Sequence, residues 1–241
     1  MSKERKVTLI CYIISAVALI GLAVWAIIGG IPFMQFGSLS HETVHIISDE
    51  SINSIDIDWT SGRVTIDVHD GYDIILTEFS RRELRERDQL NYTVSNDKLT
   101  VNFSNGGRWR GMRTKRLEIL VPDTFYRQIN IETVSGRIVA DNIAADNINL
   151  RTVSGRIEAQ DIAADTINTH TTSGRHELSG KFNNINSNSV SGRIEIDTDN
   201  SPDSIEANTT SGRITVTVPR GTDTSRFNLN TVSGRITTQE R

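Results

Sequence analysis

A single cysteine, Cys11, leaves the chain unable to form an internal disulfide, so a stapled scaffold is excluded. Cys11 lies inside an apolar run with no apolar leader before it. That position argues against lipidation and for a lipid-facing or buried thiol. Aromatic residues are scarce, at 6 %, and from Ile129 onward the only ones are Phe182 and Phe227. A wide globular core usually takes more large rings. A narrow core of Ile, Val, Leu and Ala suits a thin stack of strands. Charge of one sign is also lacking: the formal net charge is −4 over 241 residues, which leaves no global nucleic-acid footprint. Singular chemistry is missing as well. The chain holds no His-Glu-x-x-His motif, no Gly-x-Ser-x-Gly elbow and no catalytic cysteine. Asn105-Gly106-Gly107 lacks the Lys-Ser/Thr of a phosphate loop. The Asp/Asn-rich turns lack the Gly-Gly-x-Gly-x-Asp nonapeptide of calcium-binding repeats and read as solvated turns. No metal or other cofactor is expected.

One long apolar run is present. Val7 to Ile31 is 25 residues without a charged side chain. At 1.5 Å per residue it makes a helix of roughly 37 Å, enough to cross a hydrocarbon layer of ~30 Å. A cleavable signal peptide has a shorter apolar region and a small-x-small site. The sequence here continues Ile31-Pro32-Phe33-Met34, so the run reads as an uncleaved signal anchor. Lys3, Arg5 and Lys6 precede it, and no Lys or Arg occurs between Pro32 and Gly62. The positive-inside rule then places residues 1–6 in the cytoplasm and everything after about Pro32 outside. Trp25 and Phe33 fit the outer interfacial belt. The expected location is the cell membrane, single-pass, with the lipid bilayer itself as a partner through residues 7–31.

The rest of the chain is repetitive. Ser-Gly-Arg occurs seven times, starting at Ser61, Ser135, Ser154, Ser173, Ser191, Ser211 and Ser233. From the second copy on, the glycines step by 19, 19, 18, 20 and 22 residues. A period near 20 marks a solenoid, each repeat being one turn of a stack. In the second regular repeat, Ile148, Leu150 and Thr152 alternate with Asn149 and Arg151, the period of a strand. Ser154-Gly155 interrupts it, and glycine's tolerance of positive φ predicts a corner or bulge there. Ile157 and Ala159 resume the inward phase after an odd step. The fold class expected is all-β: a parallel β-solenoid, or β-helix, of roughly 19-residue turns behind one N-terminal transmembrane α-helix. Two inward columns are predicted. One is Ile138, Ile157, His176, Ile194, Ile214 and Ile236; the other is Ile131, Leu150, Thr169, Asn186, Ala207 and Leu229. Residues 32–50 read as a linker, 51–128 as a partly antiparallel β subregion capping the stack, and 129–241 as the regular repeats. Asn96-Asp97-Lys98 is a hairpin signal inside the cap. The final strand, near Ile236, looks poorly covered.

A single N-terminal helix followed by Thr-Val-Ser-Gly-Arg-Ile turns resembles the Toastrack family of bacterial cell-envelope proteins, candidate adhesins with a domain of unknown function. The resemblance spans roughly residues 40–241. Its most specific stretches are Thr133–Ile138, Thr152–Ile157, Ser189–Ile194, Thr209–Ile214 and Thr231–Ile236, with Leu117–Pro122 before the first regular turn. It implies a β-solenoid and an association with envelope-stress signalling, beside sensor kinases and small membrane proteins. It implies no catalytic residues. The third repeat departs from the pattern at Thr172 and His176.

Two clusters are candidate binding surfaces. The first is an arginine column: Arg137, Arg156, Arg175, Arg193, Arg213 and Arg235. Stacked like charges repel unless compensated, and Glu158, Glu177 and Glu195 stand two residues further on. The plainer reading is an exposed Arg/Glu ladder, only weakly stabilising. The functional reading is a fork-like surface for phosphate or carboxylate polymers, such as wall polyanions. The second cluster is residues 81–116, with ten basic residues against four acids. Within it Arg108, Trp109, Arg110, Arg113, Lys115 and Arg116 are candidates for contact with anionic lipid. The plainer reading is a solvated loop. The sequence thus points to a non-enzymatic binding or assembly platform in envelope-stress sensing. An adhesin or polyanion scaffold is the alternative, and a polysaccharide-acting β-helix enzyme a remote one. Nucleic acid is not an expected partner.

Overall fold

Strict alternation builds the sheet. Along Ile148, Leu150 and Thr152 the side chains are buried, while Asn149 and Arg151 between them face outward. In the computed structural model, which describes residues 41–104 and 114–241, this pattern repeats turn after turn. Residues 39–241 form one compact unit. The expected membrane anchor, Val7–Ile31, lies outside the described residues. Among the described residues no helix is long and apolar enough to cross a membrane.

The chain is all-β and solenoid-like. Its early strands are β1 (His41–Ile47), β2 (Ser54–Ser61), β3 (Val64–His69), β4 (Ile74–Ser80), β5 (Asn91–Ser95), β6 (Lys98–Asn102) and β7 (Arg116–Pro122). Then come β8 (Phe125–Ser135), β9 (Ile138–Asp141), β10 (Ala144–Ser154), β11 (Ile157–Thr198), β12 (Ser204–Val218) and β13 (Phe227–Glu240). All join one curled sheet of 13 strands. From β8 onward every pairing is parallel and in register with the repeat: Ile129 lies beside Ile148, Ile148 beside Ile167, Ile185 beside Ile205 and Ile205 beside Phe227.

Each turn has two strand sides meeting at Ser-Gly and a third, returning side. The glycine steps and the register steps are the same numbers, so the strand sides keep constant length. The returning side absorbs all variation: Ile157 to Ile167 is 10 residues, whereas Ile214 to Phe227 is 13.

The corner glycines are required by proximity. A Cβ on Gly155 would lie 1.7 Å from the carbonyl oxygen of Gly136, and one on Gly174 would lie 1.6 Å from that of Gly155. Every such Cβ would point at the preceding turn. Positive φ, the expected reason, holds in this column only at Gly62, with φ +113°.

One inward column stands as predicted through Ile138, Ile157, His176, Ile194 and Ile214, all fully buried, whereas its last member, Ile236, is 40 % exposed. The other is corrected at one place. Ser187, not Asn186, takes the inward position: it is fully buried, pairs with Ala207, and accepts a hydrogen bond from Thr169 Oγ1 at 2.8 Å. The local step is 18 residues, so Asn186 falls one place early and faces outward beside Glu206.

The cap is partly antiparallel, as expected. β4 pairs β1 on one side and β7 on the other, and β5–β6 is a hairpin. Asn96 and Asp97 turn that hairpin with φ of 53° and 58°, the primed-turn geometry the sequence signalled. One arrangement was not predicted. The turn β2–β3 is inserted between β6–β7 and β8–β9, so the second turn in space comes first in the chain.

Candidate functional site

The arginine column assembles as the period demands, and it is longer than expected. Val64 lies beside both Leu117 and Ile138, so Arg63 and Arg116 extend the six predicted arginines into one file of eight. Glutamates neutralise most of it. Arg137 Nε and Arg156 Nη1 share Glu158 at 3.6 and 3.0 Å. Arg175 meets Glu177 at 2.9 Å and Arg193 meets Glu195 at 3.2 Å. The hydrogen bond to Glu177 raises the guanidinium pKa of Arg175. Burial, then Arg137 and Arg116, push Arg63 down. Arg213 and Arg235 differ. Thr215 and Thr237 stand where the glutamates would, and neither arginine pairs with a carboxylate among the described residues.

The basic cluster divides. Arg108, Trp109, Arg110 and Arg113 lie outside the described residues. Lys115 is corrected: it is buried away from any lipid surface, while Arg116, a quarter exposed, is engaged with neighbours. Lys115 is the first residue of the glycine column, and with no turn before it its side chain runs into the cap. There it is 1 % exposed. Its ammonium donates to Glu78 Oε1 at 2.7 Å and to the carbonyls of Asp88 and Ser104, each at 2.6 Å. It lies 4.4 Å from the ring centre of Phe103, which stacks edge-on against Trp59. Sequence shows Lys115 among basic neighbours; only the closed turn shows a buried ion pair. Arg116 joins the ladder, 3.1 Å from Glu118 and stacked on Phe79 at 4.1 Å. Burial raises the Glu118 pKa against the pull of Arg116. Arg81, Arg82, Arg85 and Arg87 in the adjoining loop are exposed.

A second file of polar residues was overlooked in the sequence. On the outer face of the first strand side, Asn168 Nδ2 donates to Asn149 Oδ1 at 2.8 Å and Asn149 Nδ2 donates to Asn130 Oδ1 at 2.7 Å. In a neighbouring file, two residues further along each strand, Asn230 donates to Asn208 and Asn208 to Asn188, both at 3.0 Å. In each link the later turn donates, so the amides form polarised ladders. Their steps of 19, 20 and 22 residues equal glycine steps, and that was the signal to find them. The face is hollowed into a groove of about 760 Å³ running from Thr100 and Asp56 across to Asn186 and Asn188. Val134, Val153 and Val190, about half exposed, stand on the same outer face two residues beyond Glu132, Arg151 and Asn188.

Two titratable positions with shifted pKa lie elsewhere, one buried and one half-buried. His176 Nδ1 sits 2.9 Å from Thr169 Oγ1 and 2.7 Å from Ser187 Oγ, while Nε2 has no partner. Burial, with a contribution from His170, lowers its pKa to about 4. Asp141, beside Asp67, Glu158 and Asp161, is raised to about 6, chiefly by burial. Among the described residues no group of three or more His, Cys, Asp or Glu side chains is placed to hold a metal ion.

No curated protein matches the chain. A crystal structure of a candidate adhesin from Bacteroides fragilis is similar over 84 % of this chain and 98 % of its own, with 13 % identity and a TM-score of 0.52. A candidate cell-adhesion protein from Clostridium sporogenes matches over 83 % and 99 %, with 11 % identity and a TM-score of 0.42. A candidate lipid-binding protein from Parabacteroides distasonis matches over 84 % and 98 %, with 13 % identity and a TM-score of 0.39. Residues 52–181, more than half of the chain, match the family model Toastrack DUF4097, and the chain belongs to that family.

Proposed function

We propose that this chain is a non-enzymatic binding and assembly platform of the cell envelope, anchored in the membrane by residues 7–31 with its solenoid-like body outside. One observation carries the reading. The outward faces repeat the same chemistry turn after turn, and a repeated surface suits an extended or multivalent partner better than a single reacting centre. Membership of the Toastrack family and the adhesin description of the Bacteroides fragilis fold relative support binding over catalysis. In envelope-stress sensing, such a body would dock a sensor kinase or a small membrane protein. The test is crosslinking of the full-length protein in intact cells. Recovery of one specific membrane protein supports the platform. Recovery of no protein in stressed or unstressed cells would sink the signalling role.

A second reading, a scaffold for wall polyanions, rests on Arg213 and Arg235, the two predicted ligand-binding arginines that no glutamate neutralises. Arg213→Glu with Arg235→Glu should abolish binding of an anionic wall polymer, while Arg156→Glu, already shared with Glu158, should weaken it far less. Equal effects of the two changes would remove this reading. Contact with anionic lipid would rest on Arg108, Trp109, Arg110 and Arg113 together with the exposed Arg81, Arg82, Arg85 and Arg87, and salt-dependent binding to anionic vesicles tests it.

A further inference from the structure

Resting on the reading of the chain as a binding platform, we propose that the amide groove is the binding site of a neutral, hydroxyl-rich oligosaccharide lying along the stack axis. Its hydrogen-bonding capacity points there first. A primary amide carries two N–H donors and a carbonyl with two lone pairs. Asn149 uses one donor on Asn130 and one lone pair on Asn168. One donor and one lone pair remain, side by side and facing the groove. A vicinal diol offers the complementary acceptor and donor. Parallel strands repeat this pair every ~4.8 Å, so consecutive sugar rings meet the same chemistry.

Charge narrows the ligand class. Asp56 is held by Lys98 at 2.6 Å, and Glu132 faces Arg151 at 3.9 Å. In the groove lining only Asp58 is a carboxylate without an ion pair among the described residues. A polyanion or polycation finds little net field here, in contrast to the arginine file. The exposed apolar side chains lie outside the groove lining proper. Val134 and Val153 are 51 and 50 % exposed on the same outer face, beyond Glu132 and Arg151. Pairing of the residues around them stacks Val153 on Val134. The volume, about 760 Å³, falls within the usual range for a bound small molecule.

The test is calorimetric titration of the full-length chain in detergent micelles with three neutral hexasaccharides: β-1,4-linked glucose, β-1,4-linked N-acetylglucosamine and α-1,4-linked glucose. At least one should bind, with less than about a twofold change at high salt because no fixed charges are engaged. Asn149→Ala with Asn168→Ala should weaken binding by about tenfold or more, since two amide contacts are lost. Asn149→Asp with Asn168→Asp keeps the side-chain size and removes the donors, and should weaken it likewise. Arg213→Glu with Arg235→Glu should leave it unchanged. Thermal unfolding of each variant separates lost contact from lost fold. Binding of none of the three sugars, or binding indifferent to both asparagine variants, overturns the proposal. If no sugar binds while crosslinking still recovers a protein partner, the groove proposal falls alone. If the sugar binds and is recovered shortened, the groove stands and the non-enzymatic reading falls.

Discussion

The first and last turns of the stack face the same problem and treat it in opposite ways. Each ends a parallel sheet and leaves a row of backbone groups and inward side chains without a following turn. At the first turn, β4 runs antiparallel against β7, and β5 against β6. Lys115 turns inward to Glu78, under Trp59 and Phe103, and the region is sealed. At the last turn, β13 pairs only β12 among the described residues. Its inward Ile236 is 40 % exposed and Val232 is 84 % exposed. The difference teaches that the repeat specifies stacking but not termination. Ending a stack needs residues outside the period, and among the described residues they stand at the first turn.

The sharpest way to break this contrast is Glu78→Ala. It leaves a buried ammonium without its carboxylate and should cost about 3–5 kcal/mol in chemical denaturation. A loss under about 1 kcal/mol would mean the cap does not hold the stack. Next is a paired comparison along the glycine column. Gly155→Ala forces a Cβ against a carbonyl held between two turns and should cost about 3 kcal/mol, the upper end of overpacking. Gly234→Ala makes the same clash, but β13 is free to move away, and about 1 kcal/mol is expected. Equal losses at the two sites would contradict the open-end description.

A smaller effect separates the middle from both ends by pH. The His176 pKa is about 4 when folded and near 6.5 when unfolded, so the unfolded chain binds the extra proton. Stability from this site is present above pH 6.5 and is lost as pH falls through about 4, by on the order of 2–3 kcal/mol. His176→Ile should remove that acid sensitivity, leaving Thr169 and Ser187 bonded to each other. Urea midpoints measured from pH 7 to pH 4 would check it. The smallest effect belongs to Arg241, which reaches Asp197, Asp199 and the carbonyl of Thr198 at the open end. Arg241→Ala should cost no more than about 1 kcal/mol, as exposed ion pairs do.

What could be read in advance follows the same division. The Ser-Gly-Arg period predicted the parallel register, the inward isoleucines and the arginine file, because each rests on a step repeated locally along the chain. Lys115 was misread because its neighbours in sequence are basic, while its partners Glu78 and Asp88 come from a strand and a loop far upstream. Placing the β2–β3 turn between two later turns was equally out of reach, since no local signal orders distant strands. The glycine corner was placed correctly for an incomplete reason: conformational freedom explains Gly62, and close stacking explains the others. The amide ladders were legible, at the same steps as the glycines. They were passed over because outward asparagines read as solvated surface until their spacing is compared across turns.

The returning side of each turn, where repeat length varies, carries one more consequence. Length differences there leave the arginine file and the amide groove untouched, so this side is the molecule's natural insertion site. A fluorophore or an epitope placed near Asn200 or Gly221 would ride at a fixed height on the stack. Two such labels would make a ruler for how any bound partner is aligned along it.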